Sequence, residues 1–202
     1  MKLFLAIIIC MIIISCKPRI KTDLLTLKFD SDLSTFTLRD KELKKDVEPN
    51  LGLATLTTQE LDEYAIGDTK LTTYAYPNGN LADYNNLSIF VTSKDKNNYL
   101  GFNYSSVNQE ETKAIITYLK KTYPIYQQST TEGSGKSFFW DIPQINAWLF
   151  TYQGISTDQS GKNFFSTNFI FVKKTTRMAN SMDPKAITVM HYYKMMYPDV
   201  IK

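Results

Sequence analysis

The most regular alternation of apolar and polar positions lies in the middle of the chain. Leu87, Ile89 and Val91 share one face of a run over residues 87–92, and Leu100, Phe102 and Tyr104 alternate over residues 99–104. Both runs predict half-buried strands. With the β-branched and aromatic stretch at residues 71–76 and the turn residues Pro77-Asn78-Gly79-Asn80, they predict an antiparallel meander. The period then changes from two to about 3.6, because Ile115, Ile116, Leu119 and Tyr123 recur at helical spacing. Asn108 is suited to cap this helix, with Glu111 three residues later. Glu110 and Glu111 lie at the positive end of the helix dipole, Lys120 and Lys121 at the negative end, and Pro124 stops the helix.

Shorter apolar runs predict strands at residues 24–29, 35–38 and 51–57, with Asp30-Ser31-Asp32 turning between the first two. A charged stretch from Asp40 to Glu48 ends at Pro49-Asn50, and Thr58 is placed to cap one or two helical turns from Gln59 through Tyr64. After a polar loop, residues 138–142, 145–152 and 164–172 predict three strands of unusual aromatic weight. Asp183-Pro184 then reads as an N-cap and first helical residue opening a C-terminal helix to about Tyr197. Strands grouped with two substantial helices, instead of strict βα alternation, predict an α+β fold. Its sheet is mainly antiparallel, with about six to eight strands and both helices packed on one face.

The N-terminus has a different pattern. Lys2 precedes an uninterrupted apolar stretch over residues 3–14, the shape of a secretory signal and shorter than the roughly twenty residues of a membrane-spanning helix. The stretch ends at Ile13-Ile14-Ser15-Cys16, which resembles the lipobox of bacterial lipoproteins; the resemblance covers the first sixteen residues. It implies that the Cys16 sulfur receives a diacylglyceryl group, that the chain is cut between Ser15 and Cys16, and that the new amino group is acylated. Several acyl chains at about 0.8 kcal/mol per buried CH₂ would hold a domain on a bilayer that a single chain grips only reversibly. The implied layout is a signal peptide at 1–15, a lipidated tether at 16–23 and a single domain at 24–202. In Gram-negative lipoproteins an aspartate directly after the cysteine resembles an inner-membrane retention signal; Lys17 stands there. Lys17-Pro18-Arg19-Ile20-Lys21 also lacks the acidic residues associated with export to the cell surface. The expected address is the outer membrane, with the domain facing the periplasm.

This processing changes the composition. Of the two cysteines, Cys10 would leave with the signal and Cys16 would carry lipid, so the mature chain would have neither a free thiol nor a disulfide. The whole chain has 23 basic and 20 acidic residues, a net charge of +3 that is too near neutral to suggest nucleic acid. Lys17, Arg19 and Lys21 cluster beside the lipid, where each contributes about 1 kcal/mol at an anionic surface, or serves simply as a solvated tether.

Most site chemistries fail on residue supply. His191 is the only histidine, which excludes His-clustered zinc or copper, and without a usable thiol Cys catalysis and structural zinc fall too. A Ser-His-Asp triad would have to use His191, and no Gly-x-Ser-x-Gly occurs. Asp30, Asp32 and Ser34 have the alternate spacing of a calcium loop but lack its glycine, and Lys41 stands where the bidentate Glu belongs. Glu132-Gly133-Ser134-Gly135-Lys136-Ser137 has the letters of a phosphate-binding loop. Thr130, however, occupies the place of the first glycine and a strand follows instead of a helix, so a hairpin is expected. No cofactor is expected.

Two features remain. Asp141, beside Trp140 at a strand end, is the carboxylate to inspect first for acid/base chemistry. Trp148, Phe150 and Tyr152 share one strand face opposite Ala147, Leu149 and Thr151, and with Trp140 could stack on a sugar or peptide; core packing gives the same composition. The leading expectation is a non-catalytic envelope lipoprotein that binds or assembles with a protein or glycan. A lipid-anchored Asp/Glu hydrolase and an immunity or inhibitor lipoprotein are the alternatives.

Overall fold

The computed structural model describes residues 21–34, 43–93, 96–131 and 135–202. In chain order the strands are β1 (Thr22–Asp23), β2 (Lys44–Val47), β3 (Ala54–Thr58), β4 (Tyr64–Ile66), β5 (Thr69–Lys70), β6 (Asn86–Val91) and β7 (Tyr99–Ser106). Helix α1 (Gln109–Thr122) follows, then β8 (Gln127–Thr131), β9 (Gly135–Ile142), β10 (Ala147–Thr157), β11 (Asn163–Lys173) and helix α2 (Val189–Met196). Eight strands form one sheet in the order β2-β3-β6-β7-β11-β10-β9-β8, antiparallel at every pair. A small sheet, β1-β4-β5, stands apart, with β1 parallel to β4. The mainly antiparallel sheet expected from the strand pattern is therefore present.

The connection through α1 sets the topology. After β7 the chain crosses to the far edge at β8 and returns by three hairpin steps, so that β11 closes against β7 with Phe169 opposite Tyr104 and Phe171 opposite Phe102. Strand alternation sorts the core into two layers. Leu87, Ile89, Phe102, Tyr104, Trp140, Leu149, Phe169 and Phe171 pack on one face, while Phe90, Leu100, Trp148, Phe150, Ile170 and Val172 pack on the other. Ile115 and Leu119 of α1 join the first layer; Val189 and Tyr193 of α2 join the second. The helices thus lie on opposite faces, not on one face as expected. Period-two strands with apolar residues at consecutive positions, such as Ile89-Phe90-Val91, need cover on both sides.

Helix α1 forms as its sequence predicts. Asn108 is the N-cap and accepts from the Glu111 N–H, Pro124 follows the C-cap Tyr123, and Ile115 and Leu119 are buried. Burial of each such side chain contributes roughly 1.5–3 kcal/mol. Helix α2 is shorter than expected. Its cap is Thr188, whose hydroxyl accepts from the His191 N–H, whereas the Asp183 carboxylate accepts from Lys185 N–H in a separate turn. Thr188 is extended, with ψ 156°, which suits the β-branched Ile187-Thr188 pair.

Four other segments depart from their predicted form, the first two because side chains take over the backbone's hydrogen bonds. Residues 24–29 are a turn, although Leu24, Leu25 and Leu27 are buried: Asp23 Oδ1 accepts from Leu25 N–H at 3.0 Å and Gly67 N–H at 2.9 Å. No helix follows Thr58, whose hydroxyl accepts from Glu60 N–H while Leu61 N–H donates to Thr73 Oγ1. Residues 71–76 contribute one isolated bridge, Ala75 to Tyr84, instead of a strand. The polar loop after Pro124 is the edge strand β8. The predicted strand at residues 35–38 lies outside the described residues.

A register shift between Phe90 and Val91 turns Leu100 to the second layer, away from Phe102 and Tyr104. Gly101 allows it with φ 146°, and a Cβ there would sit 2.1 Å from the Phe171 carbonyl oxygen. Gly101→Ala should therefore cost about 3 kcal/mol or more, a loss of roughly 10 °C in melting temperature measured by calorimetry. An unchanged melting temperature would contradict this placement of β7 against β11.

Candidate functional site

Strand β10 brings aromatic residues to the second face at every other position. Trp148 and Phe150 are buried there, beneath a layer that includes Val189, Tyr193, Val200 and Ile201, so neither ring lies at the surface. Trp140 is buried in the opposite layer, its indole N–H donating to the Tyr123 carbonyl at 3.0 Å. Of the four aromatics singled out in the sequence, Tyr152 alone is half-buried.

Tyr152 belongs to a cluster that the strand alone did not reveal. Tyr193 and Tyr197, four residues apart across the end of α2, both reach β10. Tyr197 lies 4.8 Å from Phe150 and is stacked on Tyr152 at 5.1 Å; Tyr193 lies 5.4 Å from Phe150. Tyr192 meets Tyr193 edge-on at 5.3 Å. Tyr152, Tyr192 and Tyr197 form the half-buried rim, and Tyr193 and Phe150 the floor. The signal for this cluster was present in His191-Tyr192-Tyr193 with Tyr197 one helical turn on.

Tyr152, Tyr193 and Tyr197 are poor acids. Burial, then the neighbouring Tyr197, Glu48 and Tyr192, pushes Tyr152 up to about 12. Burial also raises Tyr197, with Tyr192 adding to the shift, and raises Tyr193 strongly. The rings therefore stay protonated at neutral pH. They offer flat faces and hydroxyls for stacking and hydrogen bonding, the properties that make tyrosine a frequent anchor in interfaces.

The remaining sequence candidates are dispersed. Asp141 is exposed and pairs with Lys174. His191 is exposed on α2. Asp30 pairs with Lys173, while Asp32 Oδ1 accepts from Ser34 N–H at 2.9 Å. Strands β8 and β9 pair with Thr131 opposite Gly135, and Gly133 and Ser134 of the Gly-Ser-Gly-Lys segment lie outside the described residues. A depression of about 460 Å³ along α1 is lined by charges of both signs, Asp68 and Glu110 with Lys113 and Lys121. Among the described residues, no three His, Cys, Asp or Glu side chains are grouped to hold a metal, and no helix is long and apolar enough to cross a membrane. Ser15 and Cys16 lie outside the described residues. Comparisons with family models, curated proteins and solved structures gave no match.

The raised phenols have a linkage consequence. Between the ordinary tyrosine value near 10 and the folded value near 12, the unfolded chain loses the Tyr152 proton while the folded chain keeps it, so stability falls as pH rises. Denaturation from pH 9 to 12 should show this decline, and Tyr152→Phe should make it shallower. Equal slopes in the two proteins would contradict the burial of the Tyr152 hydroxyl.

Proposed function

We propose that this chain is a lipid-anchored envelope lipoprotein whose domain binds a protein or glycan neighbour without catalysis, and that the rim of Tyr152, Tyr192 and Tyr197 is its contact surface. The observation that carries the reading is the half-buried tyrosine cluster: two stacked rings at 5.1 Å with a third phenol beside the floor residue Tyr193. Such a surface has rigid rings, little rotamer entropy to lose and hydroxyls at the edge, which suits either a sugar face or a peptide side chain.

The anchor rests on the sequence. Residues 1–15 act as the signal and Cys16 carries the acyl chains. The tether ends before residue 22 instead of at 23, since Thr22 and Asp23 pair with β4 as β1, and the domain faces the periplasm from the outer membrane. The membrane partner is reached through lipid, and nucleic acid is not a partner.

Two measurements test the halves of this reading separately. Cys16→Ala should abolish labelling by a fatty-acid probe, and undiminished labelling would overturn the anchor. Tyr192→Ala and Tyr197→Ala, each checked for an unchanged circular dichroism spectrum, should lower crosslinked recovery of an envelope partner from intact cells about thirtyfold, the effect of losing an interface anchor. Recovery of the same partner at wild-type yield would overturn the rim as the contact surface.

A further inference from the structure

A second depression, distinct from the tyrosine rim, lies where β6 and β11 end and β7 begins. It holds about 400 Å³ and is lined by Asp30, Thr92, Leu100, Lys173, Thr175, Thr176, Arg177, Asn180, Ser181 and Met182. Its polar chemistry is one-sided: an ammonium, a guanidinium, an amide and three hydroxyls beyond Thr92, against the single carboxylate of Asp30. Arg177 is the only arginine among the described residues.

The supply of donors exceeds the acceptors present. Arg177 donates one guanidinium N–H to the Ala186 carbonyl, which fixes the side chain and leaves the rest of its five-donor fork uncommitted among the described residues. The Asn180 amide is held by the Thr92 carbonyl at 2.8 Å. The Thr176 hydroxyl is buried, with the residue 3% exposed, and has no hydrogen-bond partner. A buried hydroxyl without a partner costs free energy, and Thr176 is one of the residues that line the depression. Lys173 is spoken for by Asp30, but unequally: the lysine side chain is 23% exposed and the aspartate 56%. Asp30 sits on the outer side and can turn to water, leaving the inner ammonium to another anion.

The backbone is set to present these groups. Ala179 and Asn180 are both left-handed, with φ 52° and 49°, an arrangement that non-glycine residues seldom adopt. Their N–H groups are already used, by Leu51 and Arg177 carbonyls, so the free donors are side chains.

We infer that this depression is a binding site for a small oxyanion of the phosphate-ester class, held by the Arg177 guanidinium, the Lys173 ammonium and the Thr176 hydroxyl, with Asp30 as the internal competitor. Planar guanidinium and ammonium donors match phosphate oxygens, and Leu100 and Met182 supply apolar wall for the ester's organic part. The same chemistry occurs in soluble sugar phosphates and in phospholipid headgroups.

The test is calorimetric titration of the full chain in nonionic detergent with glycerol 3-phosphate and inorganic phosphate, repeated on chain reconstituted in phosphatidylcholine and in phosphatidylglycerol vesicles. Saturable binding is expected with a dissociation constant of about 1 mM for so open a site. Thr176→Val should weaken it about tenfold without lowering the melting temperature, because it removes only an unpartnered hydroxyl. Arg177→Gln should weaken it further, and Asp30→Asn should strengthen it. Glycerol 3-phosphate binding that survives in phosphatidylcholine but is displaced in phosphatidylglycerol vesicles would assign the site to headgroups; equal binding in both would assign it to a soluble ester. No saturable heat with either phosphate, or binding undiminished in Thr176→Val and Arg177→Gln, would overturn the site. Neither result bears on the tyrosine rim, which is tested by its own variants.

Discussion

The Glu111 carboxyl group is buried with no cation paired to it among the described residues, and the arrangement of the domain follows from how its oxygens are satisfied. One oxygen accepts from the Tyr104 hydroxyl, from Asn85 Nδ2 at 3.1 Å and from Ser106 Oγ at 3.2 Å; the other accepts from Thr72 Oγ1 at 2.7 Å. A buried carboxylate is costly unless hydrogen-bonded, and these donors, together with its place in the first turn of α1, offset that cost. The donors come from two separate parts of the chain. Tyr104 and Ser106 belong to β7, Thr72 and Asn85 flank the segment between β5 and β6, and Asn85 also accepts from the Val107 N–H at 2.8 Å. Burial, with the Glu111 charge next, pushes the Tyr104 phenol far above its ordinary range, so it remains a donor at any ordinary pH.

This knot fixes the start of the crossover helix, and Trp140 fixes its end by donating to Tyr123. Held at both ends, α1 covers one face of the sheet and delivers the chain to the far edge, from which β8, β9, β10 and β11 return to close on β7. The other face is then left to α2 and the last residues. Eight residues of helix cover less than the fourteen of α1, and the cover is completed by large rings and by Val200 and Ile201. The tyrosine rim is the edge of that cover. The second depression forms where the turn after β11 folds back through Arg177 onto Ala186.

Elements whose partners are near in sequence were legible. The alternation of Leu87, Ile89 and Val91, the Asn108 cap and the Pro124 stop all specify local geometry, and the structure follows them. The Leu24, Leu25 and Leu27 run was misread because hydrophobicity predicts burial but not conformation; the deciding bond links Asp23 to Gly67 across 44 positions. Glu111 was read as a dipole and capping residue. Its side chain turns inward instead, since its donors lie 5 to 39 positions away and leave no periodic trace. The second core layer was half visible in Trp148, Phe150 and Tyr152, and the helical tyrosines that complete it needed only to be read at i, i+4 spacing. Lys173, Thr176 and Arg177 carried no motif at all, because their grouping depends on the turn in which Thr176 N–H donates to the Lys173 carbonyl and on the hold of Ala186 on Arg177.

The most direct test of this dependence is a double-mutant cycle on Glu111→Gln and Tyr104→Phe, measured by reversible denaturation of the full chain. If the buried carboxyl organises the fold through its hydroxyl donors, the two substitutions should couple by about 1–3 kcal/mol. Additivity to within about 0.5 kcal/mol would show that Glu111 and Tyr104 act independently and would contradict the account.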